Sequence, residues 1–172
     1  SADVANNSGN ADLFNDSEGV LYAEIARSNY SDYSLISIND ETNSNVVAIG
    51  FNTSNSNLYA RLKTRGSTVF ENTTQTSNVS QYYKLAISYS STEAKYYLDG
   101  ILIQSVSNPT LFDNSISSLD FEFGGGTSDF YGNVKCVAVF KEALSNDLLE
   151  RLTGEGYESF RLLAEANNYT II

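Results

Sequence analysis

Residues 58–64, LYARLKT, alternate without a break: Leu58, Ala60 and Leu62 fall on one face, Tyr59, Arg61 and Lys63 on the other. Period two marks a half-covered β-strand, because successive side chains of a strand point to opposite sides. The same kind of short segment recurs at 19–25, 33–38, 45–51, 67–71, 81–89, 94–98 and 101–105. Polar clusters separate them, such as 39–43, 52–57, Arg65-Gly66 and Asp99-Gly100. Asp-Gly is a strong signal for a two-residue hairpin, whose central positions need positive φ. Many short strands joined by polar turns, with no alternation of strand and helix, predict an antiparallel all-β sandwich or barrel.

The most informative stretch closes the pattern. Residues 118–123 alternate, placing Leu119, Phe121 and Phe123 on one face and Asp120 and Glu122 on the other. Gly124-Gly125-Gly126 lets the chain turn. Residues 130–140 then form an almost continuously apolar run, expected as a strand covered on both faces. A short helix is expected from Lys141 through Thr153, stopped by Gly154 and Gly156. Residues 1–18 read as a linker or N-terminal arm, 19–153 as the sandwich, and 154–172 as a helical tail with Phe160, Leu163 and Ala164 at helical spacing. The chain of 172 residues is long enough for one domain with a real core. It starts at Ser1, which suggests a fragment or processed part of something longer.

Charge narrows the function. A net charge of −11 argues against a nucleic-acid partner, since phosphate contacts need excess Lys and Arg. It also disfavours an anionic membrane surface, and no apolar run is long enough for membrane insertion. Asn (19) and Ser (24) make up about a quarter of the chain, and there is no His. Polar faces of this kind hydrogen-bond rather than ionise. Cys136 has no second cysteine and no histidine to pair with, so it reads as a small buried hydrophobe.

Two segments carry a family resemblance: KLAISYSSTEAKYYLDGILI and DFYGNVKCVAVFKEALSNDLLERLT. Gly132, Val134, Val137, Val139, Phe140, Ala143, Leu144 and Ser145 follow the closing pattern of the concanavalin A-like, laminin-G or pentraxin-like jelly-roll lectins. Together with GVLYAEIA, LDGILIQ and the terminal SFRLLAEANNYTII, they resemble the C-terminal domains of bacteriophage tail fibres and other virion adhesion proteins. The resemblance spans residues 19–153. It implies a jelly-roll β-sandwich with a short C-terminal helical extension, and a non-catalytic role in binding host surface glycans. The implied location is the virion surface, among other virion proteins and in a homo-oligomer.

Three candidate sites follow. Tyr59, Arg61 and Lys63 with Lys95 and Tyr97 would form a sugar-stacking, cationic face if their strands are neighbours in one sheet. The same residues would otherwise be an ordinary solvated face. Asp32, Asp40, Asp113 and Asp129, with Asn39, Asn43 and Asn114, are candidate Ca²⁺ ligands in rim loops, although turn capping uses the same residues. Asp120 and Glu122 are the carboxylate pair a sandwich glycoside hydrolase needs. In laminarinase-like enzymes a further Glu precedes the Asp by two positions; here that position is Ser118, and Phe123 and Gly124 stand where the downstream Glu would fall. The expectation is therefore a binding domain and no enzyme. A structural assembly domain and a polysaccharide-degrading sandwich remain as the other readings.

Overall fold

The computed structural model describes residues 11–27, 32–53, 57–76, 78, 80–114 and 116–154. Ten strands form two five-stranded antiparallel sheets. The strands are β1 (Glu18–Ala26), β2 (Ser34–Asn39), β3 (Val46–Phe51), β4 (Asn57–Thr64), β5 (Ser67–Gln75), β6 (Tyr83–Ser90), β7 (Glu93–Leu98), β8 (Ile101–Ser107), β9 (Ser118–Asp120) and β10 (Asn133–Phe140). One sheet has the order β10-β1-β6-β7-β8 and the other β5-β4-β3-β2-β9. The fold is the expected jelly-roll sandwich, ending in one helix, α1 (Asn146–Thr153). No described helix is long and apolar enough to cross a membrane.

The core forms because each strand turns its apolar row inward. Leu21, Ala23 and Ile25 of β1, Leu85 and Ile87 of β6, and Tyr96 of β7 meet Ile36 and Ile38 of β2, Val47 and Ile49 of β3, and Leu58, Ala60 and Leu62 of β4. The turns behave as their sequences require. Arg65 and Gly66 have φ of 51° and 76°, and Asp99 and Gly100 have 46° and 81°. Two consecutive positive φ values match the right-handed twist of the flanking strands. The first strand pairs with the last: Val20 faces Phe140 and Ala26 faces Asn133.

Three expectations need correction. The strand foreseen at 118–123 stops at Asp120, because the backbone beyond it bonds elsewhere. Phe130 N–H donates to the Phe121 carbonyl at 2.7 Å, and Phe123 N–H to the Thr127 carbonyl at 2.7 Å. Residues 121–130 thus form their own folded loop, and Phe123 leaves the inner face. Second, the apolar run at 130–140 yields a strand only from Asn133. That strand is a sheet edge whose residues are exposed or half-buried: Val137 and Val139 pack on the inner core and Cys136, Ala138 and Phe140 on the outer cluster, but residues 133–135 are exposed. Cys136, on the outer side of this edge, is half-buried rather than core, and burial pushes its thiol up. Third, residues 12–16 are tied to the sandwich: Phe14 is buried, the Asn15 carbonyl accepts from the Tyr89 hydroxyl at 2.9 Å, and Asp16 Oδ1 accepts from Ile116 N–H at 2.8 Å. The tail expected at 154–172 lies, beyond Gly154, outside the described residues.

Buried tyrosines set the pH range of the fold. Desolvation pushes the hydroxyls of Tyr22, Tyr59, Tyr89, Tyr96 and Tyr97 above their ordinary value of 10.0. A phenolate is disfavoured in the folded chain but not in the unfolded one. The stability these groups contribute is complete below pH 10.0 and lost as pH rises beyond it. With no His in the chain, urea unfolding should show a flat plateau between about pH 5 and 9 and a steep loss above about pH 10. A marked slope near neutrality would contradict this picture.

Candidate functional site

The two outer faces of the sandwich have different fates. On the β1-β6-β7 side, Val20, Tyr22, Ala86 and Tyr97 form a second apolar cluster with Leu144, Leu149 and Leu152. Helix α1 lies on it. Ser145 caps the helix by accepting from Leu148 N–H at 3.3 Å. Lys95 Nζ donates to Asn146 Oδ1 at 2.7 Å and pairs with Glu93 at 2.6 Å. Tyr97 is fully buried. Lys95 and Tyr97 therefore seat the helix.

The other outer face belongs to β3, β4 and β5. Since Leu58, Ala60 and Leu62 point inward, Tyr59, Arg61 and Lys63 point outward. They sit beside Gly50, Ala48 and Val46 of β3 and across from Thr73, Glu71 and Thr68 of β5. The expected five-residue face does not form. Tyr59 and Arg61 lie in one sheet, Lys95 and Tyr97 in the other, and the two pairs look out from opposite sides of the sandwich. Period-two alternation tells inward from outward but not which sheet a strand joins.

The structure gives Tyr59, Arg61 and Lys63 different companions. Tyr33 meets Tyr59 edge-on, with ring centroids 5.2 Å apart and planes at 71°. Tyr59 itself is buried, and burial pushes its hydroxyl up, against the pull of Arg61. Tyr33 is the half-exposed ring of the pair. The Arg61 guanidinium lies 5.5 Å from the centroid of Phe123, also half-exposed. Its Nη2 donates to Thr68 Oγ1 at 2.9 Å, and its Nε is 3.7 Å from Glu71 Oε2. Two half-exposed aromatic rings and two cations thus share one outer face. Sequence reasoning missed Phe123 because the period-two pattern of 118–123 placed it inside with Leu119. It missed Tyr33 because the start of β2 gave no sign of lying against β4.

The glycine loop makes this arrangement possible. A Cβ on Gly124 would lie 2.6 Å from the Thr42 carbonyl oxygen, so a side chain there would lift the loop off the 40–44 turn. Ser37 Oγ donates to the Glu122 carbonyl at 2.7 Å, and Glu122 Oε1 accepts from Gly126 N–H at 2.8 Å. Asp120 Oδ2 accepts from Asn39 Nδ2 at 2.8 Å. Asp120 and Glu122 are both buried: the Asp120 carboxylate ties the loop to β2 through Asn39, while the Glu122 carboxylate closes the loop on itself through Gly126.

The candidate Ca²⁺ ligands separate into two groups. Asp40 and Asp113 share the Asn45 amide, each at 2.8 Å. Partial burial pushes the Asp40 carboxyl up, but hydrogen bonds from Asn45, Thr42 and Asn114 outweigh it and hold the carboxyl below its ordinary value. Asp32 and Asp129 lie at the other end of β2, where Asp32 contributes its carbonyl to Arg27 and Asp129 follows Ser128, bonded to Leu35 N–H. Six residues of strand separate the ends, roughly 20 Å. Among the described residues no group of three or more acidic, Cys or His side chains could hold a metal ion.

The sequence matches the family described as the concanavalin A-like lectin/glucanases superfamily over residues 7–148. Solved structures share the fold. The CBM40 of the Ruminococcus gnavus IT-sialidase, bound to α2,3-sialyllactose, has a TM-score of 0.67 at 14% identity, covering 87% of this chain and 93% of its own. A heptameric SAP-like pentraxin from Limulus polyphemus has a TM-score of 0.65 at 11% identity, covering 90% and 77%. Domain 4 of AbnA, an extracellular arabinanase from Geobacillus stearothermophilus in complex with arabinotriose, has a TM-score of 0.61 at 13% identity, covering 84% and 70%. No curated protein sequence matches the chain.

The opposite roles of the two tyrosines are open to test by urea unfolding. Tyr97→Ala should cost about 3 kcal/mol, because it empties the seat of α1. Tyr33→Ala should cost about 1 kcal/mol or less, the worth of one half-exposed aromatic pair. Equal losses would contradict the assignment.

Proposed function

The chain belongs to the concanavalin A-like lectin/glucanases superfamily, and from that premise we propose that it is a non-catalytic glycan-binding domain. The observation that carries this reading is the outer face of β4, where the half-exposed ring of Tyr33 lies on Tyr59 and that of Phe123 on Arg61, with Lys63 next along the strand. Aromatic rings offer flat apolar surfaces to the C–H faces of sugars, and the neighbouring polar groups fix orientation. Burial of Asp120 and Glu122 in the loop anchorage favours binding over hydrolysis. Similarity to carbohydrate-binding domains of two glycan-degrading enzymes supports the same class of ligand.

The setting we propose is the surface of a virion, with the domain displayed in several copies on a tail-fibre-like protein and directed at host surface polysaccharide. The support is the resemblance of GVLYAEIA, LDGILIQ and the β10–α1 segment to bacteriophage tail-fibre domains. Several weak sites on one particle would raise avidity without new contacts.

A glycan array probed with the whole chain tests the reading. Binding to a defined set of glycans is expected, and Tyr33→Ala and Phe123→Ala should each weaken it roughly tenfold while leaving the fold intact. Absence of binding to any glycan, with or without Ca²⁺, would favour an assembly domain instead.

A further inference from the structure

Among the described residues of this acidic chain, the basic side chains are almost all occupied. Arg27 is buried against Phe51 and donates to the carbonyls of Asp32 and Asn52. Arg65 donates to the Leu111 carbonyl, Lys84 to that of Gly154 and Lys141 to that of Asp12. Lys95, Lys135 and Arg151 pair with Glu93, Glu24 and Asp147. Arg61 is held by Thr68 and Glu71. Among the described residues, Lys63 is the one basic side chain with neither a hydrogen bond nor an ion pair.

Its position is specific. Lys63 follows Arg61 on the outward row of β4, so their Cα atoms are roughly 7 Å apart. Thr68, whose Oγ1 accepts from Arg61 Nη2, is the cross-strand partner of Lys63. The guanidinium therefore extends along the sheet toward the position of Lys63. Phe123 covers the guanidinium face, and the Glu71 carboxylate stands 3.7 Å from Nε. Lys63 is half-buried, so its stem lies along the sheet while its ammonium is left without a protein partner. In a chain of net charge −11, a cation without a partner beside a second cation is a local attractor for anions.

Resting on the glycan-binding reading, we propose that Lys63 and Arg61 form the subsite for an acidic group of the sugar, a carboxylate or a sulfate. The ammonium of Lys63 would meet the anion as a point charge, and the guanidinium would offer planar donors beside it. The rings of Tyr33 and Phe123 would take the neutral part of the same glycan. The ligand class is an acidic polysaccharide or acidic-capped oligosaccharide.

The test is an array carrying 3′-sialyllactose, 3′-sulfolactose, trigalacturonate and lactose, read with the whole chain and with Lys63→Gln at low and high salt. The expected result is preference for the acidic probes over lactose by about tenfold, lost in Lys63→Gln and at high salt. Lys63→Gln removes only a partner-free surface charge, so it should fold as the parent does. The relative response to sialyllactose, trigalacturonate and sulfolactose separates carboxylate from sulfate recognition. Binding of lactose as strong as that of the acidic probes overturns this subsite but leaves glycan binding standing. So does acidic binding that Lys63→Gln does not change. Failure of every glycan, acidic and neutral, overturns both.

Discussion

The pairing of β1 with β10 is the constraint on which the surface of this domain depends. Val20 against Phe140 through Ala26 against Asn133 joins the start of the sandwich to its end. β9 lies at the edge of one sheet and β10 at the edge of the other. The connection between them therefore has to pass from sheet to sheet, and it does so as the folded loop 121–130. The same pairing delivers the chain to the outer side of β1, where α1 finds Tyr22 and Tyr97. One strand pair thus decides which outer face is sealed by a helix and which is left to a loop.

That division explains why similar residues do opposite things. Tyr59 and Tyr97 both occupy outward positions on alternating strands, next to a cation two residues away. Under α1, the tyrosine becomes core and its lysine neighbour becomes a strut for Asn146. On the open side, Tyr59 is backed by Tyr33, and the neighbouring cations stay at the surface. Acidic groups divide in the same way. Asp120 and Glu122 are absorbed in holding the loop, and Asp40 in holding its turn through Thr42 and Asn45.

Much of the fold is legible in the sequence because period-two alternation and turn chemistry are local. Asp99-Gly100 and Arg65-Gly66 turn where expected, and the inward row Leu58, Ala60 and Leu62 is core. The site is only partly legible. Tyr59, Arg61 and Lys63 stand together because they share one strand. Lys95 and Tyr97 part from them because sheet membership is a long-range property that no local pattern encodes. Phe123 is misplaced by its own alternation: hydrogen bonds from Phe130 and within the Phe123–Thr127 turn override a pattern that would have kept it inside.

The central claim is that ligands engage the β4 face and not the helix-covered face. Chemical-shift mapping of the isotopically labelled chain, titrated with a glycan drawn from the array hits, tests it most directly. The account predicts shifts confined to Tyr33, Arg61, Lys63, Glu71 and Phe123, with Lys95, Tyr97 and α1 unmoved. Shifts centred on Lys95, Tyr97 and Asn146, with the β4 face silent, would contradict it.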